Sequence, residues 1–200
     1  MIFNGEMVRA ILDGRKTQTR RPYNWKRQPA MEMAERDDGS LWPWAEDCEN
    51  SGDIWIQCPF GEVGDRIWVR ETFGDCGVRL VYQADNDDGA KCKVERWTPS
   101  IHMPRWASRI LLEITGVRVE RLNGISETEA EAEGIDMDAL ADSQDCYDCI
   151  ADHNMTGRPT AKGAFKYLWE SIYGEENWQA NPWVWVIEFK VVINVQDNPA

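Results

Sequence analysis

The order of apolar and polar positions along the chain predicts three amphipathic helices. The first, in FNGEMVRAILDG, begins after the N-cap residue Asn4 and ends at Gly14. The second, in ISETEAEAEG, starts with a capping box made by Ser126 and Glu129 and ends at Gly134. In the third, KGAFKYLWESIYG, apolar residues recur at helical spacing and form one face: Phe165, Leu168, Trp169 and Ile172.

Alternation with a period of two predicts the strands. It is present in DIWIQ, GDRIWVRETF, VRLVYQ, SRILLEITGVRVERL and PWVWVIEFKVV, and KTQTRR, which ends against Pro22, is also β-prone. In the long fourth strand the alternation changes phase at Gly116, which predicts a bulge or bend. The closing strand places its large residues on one face: Trp183, Trp185, Ile187 and Phe189. These patterns predict an α+β fold, an antiparallel β-barrel or sheet with about three attached helices.

The chain length of 200 residues suits one domain, and its 42% of hydrophobic residues suffice for a core. We predict a single domain over residues 1–193, followed by a flexible tail at 194–200. Two stretches, 23–53 and 135–160, are polar and irregular in pattern, and we interpret both as loop insertions.

The formal net charge of −13 argues against indiscriminate binding to nucleic acid. The charge is unevenly distributed, however. Residues 1–30 contain seven Lys or Arg and two acidic residues, whereas residues 126–154 contain ten acidic residues and no Lys or Arg. This distribution favours a small specific site at one end of the protein, and the acidic stretch is interpreted as a solvated face.

The sequence also bears on compartment and metals. No stretch is long and apolar enough to span a bilayer, and the start lacks a signal-peptide pattern. We therefore expect a cytoplasmic protein with reduced cysteines and no membrane partner. Cys146, Cys149 and His153 have the spacing of three zinc ligands, but no second pair accompanies them, so we predict no metal and no cofactor.

The basic run GRKTQTRR is the first place where chemistry is indicated. In a plain strand Thr17, Thr19 and Arg21 share one face and Lys16 lies on the other. Lys16 and Thr19 can meet only if the chain bends, and Gly14 permits a bend. Such a pair could activate a nucleophile or orient a water molecule. The alternative interpretation is a solvated basic edge strand.

Glu71 is the second candidate. In RIWVRETF it alternates with Ile67, Val69 and Phe73, so a carboxylate lies in an apolar row. If that row faces the interior, desolvation would raise the pKa of Glu71, and a nearby Lys would lower it. A carboxylate poised in this way suits proton transfer. The alternative is that the face carrying Trp68 is buried and Glu71 is exposed.

These segments resemble a known family. The run with Gly14, Lys16, Thr19 and Arg21 is similar to the signature of the ASCH domain, Gly-x-Lys-x-x-(Glu or Thr)-x-Arg. GDRIWVRETF resembles the next block of the family, a turn and a strand ending in Glu, and PSIHMPRWASRI and NPWVWVIEF complete a pattern similar to uncharacterised phage and prophage members. The resemblance leaves the two insertions uncovered. It implies a PUA-like β-barrel with a cleft for a nucleoside or an RNA base.

One branch of the family, with Thr in the signature, comprises small amidohydrolases that deacetylate N4-acetylcytidine. By that resemblance Thr19 would attack the amide carbonyl, Lys16 would activate it, and Glu71 would pass a proton to the leaving amine. The present chain is about twice as long as those enzymes, so another acylated nucleoside or nucleotide could be its substrate. Other members are thought to bind RNA without this chemistry, which gives the alternative function, a non-catalytic RNA-binding module.

The remaining candidates are substrate-binding residues. Arg21 is expected to contact an anion or a base, and we add Arg70, His102, Arg105 and Trp106 as further residues of the cleft. His102 has a plainer interpretation as a structural loop residue. The tryptophans that lie outside the alternating strands are the better stacking candidates: Trp42, Trp44, Trp97 and Trp106. The expected partner is a nucleoside, a nucleotide or an RNA base, and the sequence identifies no protein partner.

Overall fold

The computed structural model describes residues 1–85, 94–142 and 160–192. The described α-helices are α1 to α5 in chain order: Gly5–Leu12, Glu127–Ala132, Met137–Asp142, Ala161–Tyr173 and Glu175–Gln179. The described strands are β1 to β9: Gln18–Pro22, Glu32–Glu35, Leu41–Asp47, Gly52–Trp55, Arg66–Trp68, Phe73–Asp75, Leu80–Tyr82, Leu111–Arg121 and Trp183–Val192.

A four-stranded sheet in the order β1-β9-β8-β5 is the centre of the structure. All of its pairs are antiparallel, and the sheet curls into a half-barrel. The predicted α+β class is therefore confirmed. The register between β8 and β9 shifts between Ile114 and Gly116, which confirms the predicted irregularity at Gly116.

The closing strand β9 is buried on both faces. Val184 and Val186 pack with Phe165, Trp169 and other residues of α4 and α5. Trp185 and Ile187, on the opposite face, pack with Ile114, Val119 and Tyr23. The predicted apolar face of β9 is thus correct, but the intervening valines form a second core under the helices, as expected for a central strand covered on both sides.

Helix signals in the sequence locate three of the helices correctly. Asn4 accepts a hydrogen bond from the backbone N–H of Met7, and Ser126 and Glu129 form both bonds of the capping box. Of the predicted face of α4, Phe165 and Trp169 are buried and Leu168 is half-buried, whereas Ile172 is exposed. Two short helices, α3 and α5, were not predicted, because neither contains enough turns to show a periodic pattern.

The predicted loop at 23–53 is wrong. Strands β2, β3 and β4 form a separate antiparallel sheet that begins at Glu32 and ends at Trp55. Trp42 packs edge-on against Trp185 of the main sheet, with ring centroids 5.1 Å apart, so this sheet covers the core. Polar residues and Gly39 interrupt the pattern in this stretch and obscure its alternation. Of the second predicted insertion, Met137–Asp142 is helical, and residues 143–159 lie outside the described residues, as does the predicted tail at 194–200.

Gly134, just after α2, is a position where only glycine fits. Its φ is +95°, a left-handed conformation, and a Cβ there would lie 2.9 Å from the Cβ atoms of Ala10 and Lys16. Gly14 also has a positive φ, +75°, but a Cβ there would meet nothing within 4 Å. The two glycines therefore share the conformational requirement and differ in steric contact.

We expect Gly134→Ala to destabilise the protein by about 2–4 kcal/mol, because left-handed strain adds to overpacking against α1 and Lys16. Gly14→Ala is the matched control and should cost only about 1–2 kcal/mol, the strain alone. Urea unfolding followed by far-UV circular dichroism measures both changes. Equal losses in the two variants would contradict the close packing of Gly134 against Lys16.

Candidate functional site

Lys16 lies between α1 and β1 and is almost fully buried, with 1% of its surface exposed. Its Nζ donates to the backbone oxygen of Glu133 at 2.7 Å and to the Oε2 of the same residue at 2.9 Å. Burial lowers the pKa of Lys16, and the charge and hydrogen bond of Glu133 oppose that shift. The ammonium group is therefore held by the residue at the C-terminal end of α2.

Side chains from alternate positions of the basic run contact the same helix. Gln18 donates to the backbone oxygen of Glu129 at 2.8 Å. Arg20, whose side chain is fully buried, lies 3.2 Å from Glu133 and 3.1 Å from both Glu129 and Glu120. The face formed by Lys16, Gln18 and Arg20 thus ties β1 to α2 through paired charges. The basic edge strand is buried, so the solvated interpretation is wrong.

Thr19 lies on the opposite face of β1 from Lys16. Residues directly opposite each other in an antiparallel pair share a face, and Thr19 is opposite Ile187 while Arg20 is opposite Val186. Val186 packs under α4 and α5, whereas Ile187 packs in the core around Trp185. The two faces of β1 therefore lie over two different parts of the core. Gly14 does bend the chain with a φ of +75°, but no hydrogen bond joins Lys16 and Thr19 within the described residues.

Glu71 is 2% exposed and lies in the predicted apolar row, with Val69 and Phe73 also buried. Its two carboxylate oxygens accept hydrogen bonds from Arg109 at 2.9 and 3.0 Å. Burial raises the pKa of Glu71, and Arg109 counteracts this. Of the two alternatives for Glu71, the interior one is therefore correct, but the cation that faces Glu71 is Arg109, a residue that the sequence analysis did not single out.

Among the described residues, no hydrogen bond or ion pair joins Lys16 and Glu71. The charged groups that influence Lys16 are Glu133, Arg20 and Arg21, whereas those that influence Glu71 are Arg109 and Asp85. Glu71 is not among the charged groups that influence Lys16, and Lys16 is not among those that influence Glu71. Lys16 and Glu71 are thus ion-paired with different partners, and Thr19 lies on the opposite face of β1 from Lys16.

By contrast, four of the predicted substrate-binding residues share one surface. We define the Arg–Trp surface as Trp68, Arg70, His102, Arg105 and Trp106. The guanidinium of Arg70 lies 4.5 Å, and that of Arg105 6.0 Å, from the ring centroid of Trp68. Arg70 also donates to the backbone oxygen of Ile101, next to His102. Trp106 is 66% exposed, so one large indole face is available to a ligand.

Arg21 reaches the edge of this surface through the first residues of the chain. Its Nη2 donates to the backbone oxygen of Ile2, and Ile2 pairs with Arg70 in an isolated bridge. Among the described residues, no carboxylate lies within ion-pair distance of Arg21, Arg70 or Arg105, whereas Arg20, Arg109 and Arg118 are all paired. Within the described part of the chain, Arg21 and the Arg–Trp surface therefore carry positive charge that no contacting carboxylate neutralises.

A cleft that the sequence analysis missed lies between the β2-β3-β4 sheet and the main sheet. Its volume is about 690 Å³, and its walls include Arg36, Trp42, Trp55, Glu62 and Asp65. Trp42 and Trp44 are strand residues of β3, so their predicted placement in loops is wrong. The alternation of Trp42 with Trp44 is the sequence signal that indicates a strand here. Trp97 lies outside the strands and is 39% exposed.

The residues with zinc-like spacing, Cys146, Cys149 and His153, lie outside the described residues. Within residues 1–85, 94–142 and 160–192, no group of three or more His, Cys, Asp or Glu side chains could hold a metal ion. In the same ranges, no helix combines the length and the apolar character needed to cross a membrane.

Comparison with known proteins gives no relative. No protein-family model matches the chain, and no match is found among curated proteins or among solved structures. The function must therefore be argued from the geometry of the chain itself.

The charge cluster between β1 and α2 makes a prediction about acid stability. Burial tends to raise the pKa of Glu129, but hydrogen bonds from Ser126, the charge of Arg20 and a hydrogen bond from Arg118 lower it to about 2. Because the pKa in the folded state is below that in the unfolded chain, Glu129 stabilises the protein above pH 4.5. This contribution is lost as pH falls from 4.5 towards 2.

Glu129→Gln should therefore cost on the order of 2 kcal/mol at pH 7, allowing for partial exposure, and should lose less stability than the parent between pH 7 and pH 3. The measurement is the free energy of unfolding in urea at both pH values. Glu131→Gln, an exposed residue of the same helix, is the control and should behave like the parent. An undiminished loss of stability in Glu129→Gln at pH 3 would refute the assignment.

Proposed function

We propose that this protein is a PUA-like module of the ASCH type that binds a nucleotide or single-stranded RNA on its Arg–Trp surface. The observation that carries the proposal is a group of three arginines, Arg21, Arg70 and Arg105, for which no carboxylate lies within ion-pair distance among the described residues. Arg70 and Arg105 lie near the ring of Trp68, Trp106 follows Arg105 and is exposed, and the net charge of the chain is −13. The half-barrel sheet and the order of the signature residues support the family assignment.

The chemistry of the surface fits such a ligand. Guanidinium groups bind phosphate oxygens through charge-assisted and bidentate hydrogen bonds. Indole faces stack on bases without requiring a particular sequence. Arg70 and Arg105 lie near the ring of Trp68, so phosphate and base contacts can be made side by side. The negative charge elsewhere opposes broad backbone binding and restricts the ligand to this surface.

The signature residues have a supporting role in this proposal. Lys16 and Arg20 hold β1 against α2, and the next residue, Arg21, lies at the strand end nearest the N-terminal segment. The basic run therefore has two roles. Lys16 and Arg20 neutralise carboxylates of α2 and its C-terminal end, and Arg21 extends the cationic surface.

The matched pair Arg70→Ala and Arg121→Ala tests the proposal. Both arginines cover a tryptophan ring, at 4.5 Å from Trp68 and 4.3 Å from Trp183, and both donate to a backbone oxygen. Arg70→Ala should weaken binding of a fluorescein-labelled 12-mer RNA several-fold and lower the slope of log Kd against log salt by about 0.7–1, since one phosphate contact is lost. Arg121→Ala should leave both unchanged. Fluorescence anisotropy at several salt concentrations measures both quantities.

Trp106→Ala is the companion variant and should weaken binding by about tenfold without changing the salt slope, because a base stack and no charge is lost. Absence of RNA binding by the parent, or equal losses in Arg70→Ala and Arg121→Ala, would reject the assignment of the surface.

Amide hydrolysis of an acylated nucleoside is the second proposal. In its favour, burial lowers the pKa of Lys16, which makes the neutral amine needed for proton transfer easier to form. It requires a rearrangement, since Glu133 must release Lys16, and Thr19 and Glu71 must reach the same substrate atom. The geometry therefore supports binding better than hydrolysis.

Hydrolysis predicts that cytidine forms from N4-acetylcytidine on incubation with the protein and is detected by chromatography. Thr19→Val keeps the side-chain shape and should abolish turnover, and Glu71→Gln should reduce it by about 100-fold or more. Arg121→Ala, which lies outside the Arg–Trp surface and outside both buried ion pairs, serves as the control for a folded variant. If the parent forms no cytidine but still binds RNA, N4-acetylcytidine is excluded as the substrate and the binding proposal stands.

A further inference from the structure

The cleft between the two sheets contains a stacked guanidinium group. Arg36 lies with its guanidinium carbon 3.9 Å from the ring centroid of Trp42 and 5.2 Å from that of Trp55. Strand pairing explains this arrangement. Trp44 is opposite Trp55 and Ala34 is opposite Trp42, so alternation places Arg36 and both rings of the contact on one face of the small sheet. A slot for a planar cation is therefore built into this sheet.

The remaining wall of the cleft is acidic. Asp38, Glu62 and Asp65 line it, and the second cation of the lining, Arg118, is already bonded to Glu120, Glu129 and Glu188. Hydrogen bonds from Ser40 lower the pKa of Asp38, so that carboxylate is ionised at neutral pH. Among the described residues, the exposed Glu62 has no hydrogen-bonded partner for its carboxylate. This charge disfavours phosphate and favours a positively charged ligand.

Aromatic faces and nearby carboxylates are the groups that proteins use to bind organic cations. With about 690 Å³, the cleft is in the range of small-molecule sites, so it can hold more than the side chain of Arg36. We propose that the cleft binds an alkylguanidinium ligand on Trp42 and Trp55, and that Arg36 occupies part of this site as an internal competitor. The ligand is an arginine side chain of a partner or a free alkylguanidinium. This inference does not depend on the RNA-binding proposal.

Because Arg36 competes with the ligand, the proposal predicts the direction in which ligand affinity changes when Arg36 is removed. Removing Arg36 frees the two indole faces and removes a like charge, so the ligand should bind more tightly to Arg36→Ala than to the parent. If the cleft instead held a nucleobase, Arg36 would be a stacking partner and its removal would weaken binding. The two chemistries therefore predict opposite effects of one substitution.

The probe is N-acetyl-arginine methylamide, titrated into ¹⁵N-labelled protein while the indole N–H signals of Trp42 and Trp55 are followed by NMR. We expect both signals to shift, and Arg36→Ala to bind about three- to tenfold more tightly. The citrulline analogue, which has the same shape without the charge, should not bind. Agmatine and an arginine-containing tripeptide separate the two sources of the ligand: tighter binding of the peptide indicates a protein partner, and equal binding indicates a free alkylguanidinium.

Control variants separate local effects from general ones. Arg27→Ala removes the same charge from the preceding turn without touching either ring and should leave affinity unchanged. Glu62→Gln should weaken binding about two- to fivefold, and Trp55→Ala should weaken it about tenfold or more. Trp42 is kept, because its indole packs on Trp185 and donates to the Ile56 oxygen. Weaker binding in Arg36→Ala, or equal shifts with the citrulline analogue, would overturn the proposal.

Discussion

The structure depends on how two buried cations are neutralised. Lys16 and Arg20 expose almost no side-chain surface, and both reach Glu133 at the end of α2. Burying a charge without a partner costs several kcal/mol, roughly as much as a typical domain can spare. The pairing therefore couples the position of α2 to that of β1. Gly134 completes the constraint, since a side chain there would collide with Lys16.

The same constraint places the side chains of Lys16 and Thr19, which are close in the sequence, on opposite faces of the strand. Lys16, Gln18 and Arg20 point to α2, and Thr19 points to the opposite face of the strand. Strand alternation alone enforces that division, because a hydroxyl and an ammonium at odd spacing cannot share a face without a break in β1. Glu71 is held in another cluster by Arg109. The signature residues Lys16 and Arg20 are consequently buried in ion pairs, whereas Arg21, Arg70 and Arg105 have no carboxylate partner among the described residues.

Sequence patterns predicted the features that depend on neighbouring residues. The capping box at Ser126 and the irregularity at Gly116 follow from local spacing, and both are present. The spacing around Glu71 left two faces open, and the structure buries the one that carries Glu71. Partners distant in the chain were beyond reach, because nothing near Lys16 indicates Glu133, 117 residues away, and nothing near Glu71 indicates Arg109. The sheet at 32–55 was missed for another reason: its turns contain the charged and small residues that are typical of loops, and its burial comes from packing on Trp185.

The distribution of arginines connects the two proposed sites. Ion pairs with carboxylates fix three arginines and stabilise the fold: Arg20, Arg109 and Arg118. Arg70 and Arg105 lie by Trp68, and no carboxylate of residues 1–85, 94–142 or 160–192 is in contact with them, so an anion can provide the missing charge. Arg36 lies by Trp42 near carboxylates, in the position that we propose for a cationic ligand. The same pairing of guanidinium and indole thus favours ligands of opposite charge in the two places. Where no carboxylate is in contact, the surface attracts an anion, and where carboxylates surround the indole rings, the cleft attracts a cation.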